Sequence, residues 1–82
     1  MNYDIGFKPT SIKDTKKIPK PDVEDVFNKI EILKTDLTGD VKKLTNFTPE
    51  YRLRVGNYRI LFEVENNKII IYQIIHRKDA YK

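Results

Sequence analysis

Residues Tyr3 to Lys8 alternate, with Tyr3, Ile5 and Phe7 on one side, which predicts a short first strand with one buried face. Pro9 ends it. Thr10 or Ser11 can cap a polar helix running to about Lys17, anchored by Ile12 and Ile18. Pro19 and Pro21 then open a second helix, because proline is tolerated in a first turn and Asp22, Glu24 and Asp25 suit the positive end of the helix dipole. Val23, Val26, Phe27, Ile30, Leu33 and Leu37 follow helical spacing and read as a core stripe. From Thr38 to Pro49 the spacing predicts a loop punctuated by Gly39, Asn46 and Pro49 and pinned by Val41, Leu44 and Phe47. Three strands follow: Tyr51 to Val55, Tyr58 to Val64 and Lys68 to His76. They join at Gly56-Asn57 and Asn66-Asn67, pairs that accept the positive φ angles of two-residue turns.

These turns set an expected register. The first pairs Val55 with Tyr58, Arg54 with Arg59, Leu53 with Ile60 and Arg52 with Leu61, so three arginines share one face. The second pairs Leu61 with Tyr72 and Asn57 with His76, which adds Tyr72 and His76 to that face. Leu53, Val55, Tyr58, Ile60, Phe62, Val64, Ile69, Ile71 and Ile75 form the other face, for the helices to cover. The expected class is α+β: a single domain over residues 1–82, in the order β-α-α-β-β-β, with a mainly antiparallel sheet and two helices on one side.

Composition narrows the chemistry. At 82 residues and 39% apolar content the core must be economical, with little room for a buried cavity. The absence of cysteine rules out a disulfide framework and thiol metal ligands, and one histidine argues against a zinc site, so neither metal nor cofactor is expected. No run approaches the roughly 20 apolar residues of a membrane helix, and the first residues lack a signal-peptide core, which makes the cytoplasm the expected compartment. A net charge of +4 favours polyanionic partners.

Arg54 opposite Arg59 needs a reason, since like charges opposed across an antiparallel pair cost roughly 0.2 to 1 kcal/mol. An anion would relieve the repulsion, and the planar guanidinium fork grips phosphate oxygens in pairs. The bland alternative is a solvated face balanced by Glu50, Glu63 and Glu65. Lys42 and Lys43 in the loop, and His76, Arg77, Lys78 and Tyr81 in the tail HRKDAYK, extend the basic surface. Tyr81 is an aromatic beside cations, the combination on which unpaired RNA bases stack.

The segment YRLRVGNYRILFEVENNKIIIYQIIHRKDAYK resembles the carboxy-terminal half of RelE-family toxins of type II toxin–antitoxin systems. The shared pattern is a Tyr-Arg-Leu-Arg strand, a Gly-containing turn, Tyr-Arg opening the next strand, an apolar third strand, and a closing His-Arg with a spaced Tyr. The resemblance continues more weakly over the first strand and helices. It implies a ribosome-dependent endoribonuclease that cuts messenger RNA in the A site by attack of a ribose 2′-hydroxyl on the adjacent phosphate. It also implies a cognate antitoxin as protein partner. Arg52, Arg54, Arg59, Arg77 and Tyr81 match the family's site positions. Well-studied members often carry lysine where this chain has Arg52 and Arg54. Arginine is a poor base, so His76 is the expected proton carrier, ahead of Glu63. Arg59→Ala is then expected to keep the fold and remove most of the toxicity. ParE-like toxins share the fold and poison DNA gyrase instead, and a non-catalytic RNA- or ribosome-binding module is the third reading.

Overall fold

The computed structural model describes residues 2–44 and 48–80. Along the chain lie β1 (Asp4–Phe7), α1 (Pro9–Thr15), α2 (Lys20–Leu33), β2 (Val41–Lys43), β3 (Tyr51–Val55), β4 (Tyr58–Glu65), β5 (Lys68–His76) and α3 (Arg77–Ala80). The five strands form one sheet in the order β1-β5-β4-β3-β2. β1 pairs in parallel with β5 and every other pair is antiparallel. The α+β class holds, with two additions to the expected order. Val41–Lys43, expected in a loop, adds an edge strand along β3, and Arg77–Ala80 forms a single helical turn.

Both helices start at prolines, but the expected cap of the first is replaced. Lys8 occupies the N-cap of α1 with no side-chain cap, and Pro9 begins the helix. Ser11 lies inside it, wholly buried, with its hydroxyl donating to the Lys8 carbonyl at 2.7 Å. In α2, Val26, Ile30 and Leu33 are buried against Leu53, Val55, Ile60, Phe62, Ile69, Ile71 and Ile74. This is the core, and it takes one face of the sheet. Phe27, read as part of the stripe, lies at its flank: it is 41% exposed, edge-on to Phe7 with ring centroids 6.0 Å apart. Phe47 lies outside the described residues.

β1 ends opposite Ile71, which leaves the outer edge of β5 open beyond that point. α1 takes over. The Lys8 amide donates to the Ile71 carbonyl at 2.8 Å, and Asp14 accepts the Ile74 amide at 3.0 Å. A helix carboxylate thus replaces the missing strand, one of the ways an edge is closed against foreign pairing.

The first hairpin has the expected register, Arg54 opposite Arg59 and Arg52 opposite Leu61. The second starts as expected, with Glu65 opposite Lys68 and Phe62 opposite Ile71, and then departs. Between Leu61 and Phe62 the register shifts, so Leu61 faces Gln73, Ile60 faces Ile74, Arg59 faces Ile75 and Tyr58 faces His76. Tyr72 is the extra residue of a β-bulge. Ile71 and Ile74 are both buried, while Tyr72 is half-buried and Gln73 exposed between them. The bulge therefore lets two consecutive side chains share the uncovered face. It also reverses the phase of everything after it: Ile74 replaces Ile75 in the core, and His76 leaves the arginine face.

Candidate nucleic-acid interface

β3 presents Arg52 and Arg54 on the uncovered face because Leu53 and Val55 bury on the other. Lys42 of β2 stands opposite Arg52 and is exposed, so it joins them. Lys43 pairs with Tyr51 on the opposite pleat, and its ammonium lies 3.8 Å from Glu50. The arginines meet an acid that the sequence reading missed. Asp40, just before β2, places its carboxylate 3.9 Å from the Arg52 guanidinium and 3.8 Å from that of Arg54. The Asp40 carbonyl also accepts the Arg54 amide at 3.0 Å. Two guanidiniums thus share one carboxylate, and with Lys42 alongside, the patch keeps a positive excess. Glu63, considered as a base or a balancing charge, accepts the Glu50 amide at 2.7 Å and holds the entry to β3.

Arg59 behaves differently from its neighbours. Its side chain folds back on its own turn, 7% exposed, with Nη1 donating to the Gly56 carbonyl at 3.0 Å and the Tyr58 carbonyl at 2.9 Å. Nε is buried with no hydrogen-bond partner among the described residues. The opposed pair Arg54–Arg59 is therefore relieved from within, by two carbonyls and by Asp40, and needs no anion to exist. Arg77 opens α3 and is exposed, and its amide donates to the Asn57 carbonyl at 2.6 Å, which ties it to the same end of the sheet. Lys78 is exposed on the same turn. Tyr81 lies outside the described residues.

His76 belongs to another neighbourhood. Its ring meets Tyr58 edge-on with centroids 5.4 Å apart, and its Nδ1 accepts the Lys78 amide at 3.2 Å. Asp14, Lys17 and Asp79 border the hollow beside it, on the helix side of the sheet. The expected placement among the arginines is thus corrected by the bulge. The Tyr58 hydroxyl lies 3.3 Å from the Asp22 carboxylate, to which it donates. Burial raises the ionisation of this phenol above its ordinary value near 10, and the negative charge of Asp22 and the hydrogen bond raise it further. With the folded value above the unfolded one, the stabilisation is complete below pH 10 and declines as pH rises through the folded value. Chemical denaturation from pH 8 upward is expected to show a stability loss above pH 10 that Tyr58→Phe reduces; an unchanged slope in the variant would assign the loss to other groups.

A cleft of about 480 Å³ lies beside the arginines on the uncovered face, walled by Leu61, Tyr72 and Gln73 of the sheet, by Lys8, Pro9 and Thr10, and by Leu44, Thr48 and Pro49. Lys8 places its ammonium 5.1 Å from the centre of the Tyr72 ring.

A family model described as the ParE toxin of the type II toxin–antitoxin system parDE matches residues 5–81. Toxin RelE3 of Methanocaldococcus jannaschii is 38% identical over 84 residues, taking in 94% of this chain and 93% of that one. Among solved structures, the RelB-RelE antitoxin-toxin complex from Methanococcus jannaschii is similar at a TM-score of 0.78 and 35% identity, over 93% of this chain and 94% of that chain. The toxin-antitoxin complex RelBE2 from Mycobacterium tuberculosis shares the fold at a TM-score of 0.81 and 22% identity, over 94% and 100% of the two chains.

Proposed function

The chain belongs to the RelE/ParE family of type II toxin–antitoxin toxins, and from that premise we propose that it cleaves messenger RNA on the ribosome and is held in check by a cognate antitoxin. The observation that carries this reading is the uncovered face on which Arg52 and Arg54 share a single carboxylate beside Lys42. A phosphate arriving there meets two guanidiniums gathered at one carboxylate, and Asp40 is the group it would displace or work beside. Attack of the 2′-hydroxyl on the adjacent phosphorus forms a pentacovalent state with an added negative charge, leaving a 2′,3′-cyclic phosphate and a free 5′-hydroxyl. Fixed guanidiniums stabilise that state more than the ground state, which is where electrostatic catalysis acts. Arg77 contributes charge at the sheet end, and Lys42, Lys43 and Lys78 contribute to the wider RNA- and ribosome-binding surface. His76 stands away from this face, so Asp40, in contact with both arginines, replaces it as the nearer candidate to accept the 2′-hydroxyl proton.

The antitoxin is a protein partner that covers the arginine patch with acidic residues, a reading supported by the similar toxin whose structure was solved as a RelB-RelE complex. A second reading, inhibition of DNA gyrase, is favoured by the ParE description of the matching family.

Purified protein free of antitoxin, added to programmed ribosomes and to free messenger RNA with new ends mapped by primer extension, tests the proposal. Cuts on the ribosome alone are the expected result. No cuts in either sample, with loss of supercoiling by gyrase in a parallel assay, would overturn it in favour of the second reading.

A further inference from the structure

The bulge at Tyr72 does more than shift a register. In a regular ladder one of two consecutive residues faces the core, yet here Tyr72 and Gln73 both line the cleft on the uncovered face. A half-buried aromatic ring, an exposed amide with both donor and acceptor, and apolar walls at Leu61 and Pro49 meet in one place. From this placement we infer that the cleft is a binding site for one unpaired RNA base, stacked on Tyr72 and read at its edge by Gln73. The inference rests on the RNA-cleaving reading above and adds to it the position of a base beside the phosphate site.

Four observations favour a base over other occupants. Leu61 lines the cleft and stands directly opposite Arg52, and residues so paired have Cβ atoms roughly 4.5–5.5 Å apart, so the base site adjoins the phosphate site. No acidic side chain is among the described residues lining this cleft, whereas the hollow at His76 has Asp14 and Asp79; the first suits a polyanion and the second does not. Lys8 already holds a cation over the Tyr72 ring, and its flexible stem can carry that charge to a flanking phosphate when a base takes the ring face. The volume of about 480 Å³ admits a nucleoside with water around it.

The test uses programmed ribosomes whose A-site codon carries an abasic nucleotide at each position in turn, with the wild type, Tyr72→Phe and Tyr72→Ala. Tyr72→Ala is expected to raise the toxin concentration for half-maximal cleavage by about 10- to 100-fold with a smaller change in the saturated rate, because a stacking contact is lost. Tyr72→Phe keeps the ring and should stay near the wild type. One abasic position should penalise the wild type and add no further penalty to Tyr72→Ala. Penalties equal in both proteins at every position would overturn the base site while leaving the nuclease intact. A second arm needs neither cleavage nor the Tyr72→Ala variant: the Tyr72 ring resonances of the wild type, assigned by comparison with the conservative Tyr72→Phe, should move on adding a trinucleotide RNA and stay put with its abasic counterpart. Equal shifts from both RNAs, or none from either, overturn the inference whether or not the protein cuts.

Discussion

Alanine at Arg52 and Arg54 together is expected to reduce ribosome-dependent cleavage by about 10²- to 10³-fold, the effect typical of losing donors aimed at a developing oxyanion. The fold should survive. Arg54 is 57% exposed and Arg52 14% exposed at the side chain, and their pairings with Asp40 are 3.8 and 3.9 Å long, so each ion pair contributes at most about 1 kcal/mol. Most of the structural cost lies in the packed stem of Arg52. Lysine at both positions keeps the charge and gives up the fork, so it should recover binding to RNA more than the cleavage rate. Binding to a single-stranded RNA should also become less sensitive to salt, by a slope of about 0.7 for each phosphate contact removed. Rate and melting temperature measured on the same preparations check the expectation. A soluble double variant that cuts at the normal rate would show that the patch does not bear on the reaction.

The arginine face was legible because a Gly-Asn turn of two residues leaves only one register for the strands that flank it. Arg54 opposite Arg59 and Arg52 opposite Leu61 follow from counting outward. The same counting failed in the next hairpin for a physical reason. Ile69, Ile70, Ile71, Tyr72, Gln73, Ile74 and Ile75 are apolar at nearly every position, so period-two alternation carries no phase there and a bulge leaves no mark. One inserted residue then moved His76 from one side of the sheet to the other. β2 escaped notice because three residues contain barely one alternation, and with it went the role of Asp40, whose position depends on how that strand enters the sheet. The folding back of Arg59 is a choice among rotamers of a long side chain, decided by two turn carbonyls within its reach. No one-dimensional pattern reports that choice.

Arg59→Ala is accordingly expected to remove both activity and stability, where the sequence pattern alone implied loss of activity on an intact fold. The side chain is 7% exposed, and its Nη1 satisfies the carbonyls of Gly56 and Tyr58 at the tip of the first hairpin. Hydrogen bonds from a charged donor contribute about 1.5–3 kcal/mol, partly offset here because carbonyls at a turn can take water instead. A net loss of about 2 kcal/mol would lower the melting temperature by roughly 8–16 °C in a chain of this size. The buried, unpartnered Nε works in the other direction, since a donor left without an acceptor holds the side chain above its best energy. That residual cost favours a shift of the guanidinium toward an anion once a phosphate lies beside Arg54. Arg59→Lys should regain part of the melting temperature and little of the cleavage, because one ammonium cannot serve the turn and a phosphate together. Cleavage by each variant, normalised to its folded fraction well below its melting point, separates the two roles. A normalised rate equal to that of the wild type would make Arg59 a structural clasp of the hairpin and leave the chemistry to Arg52 and Arg54.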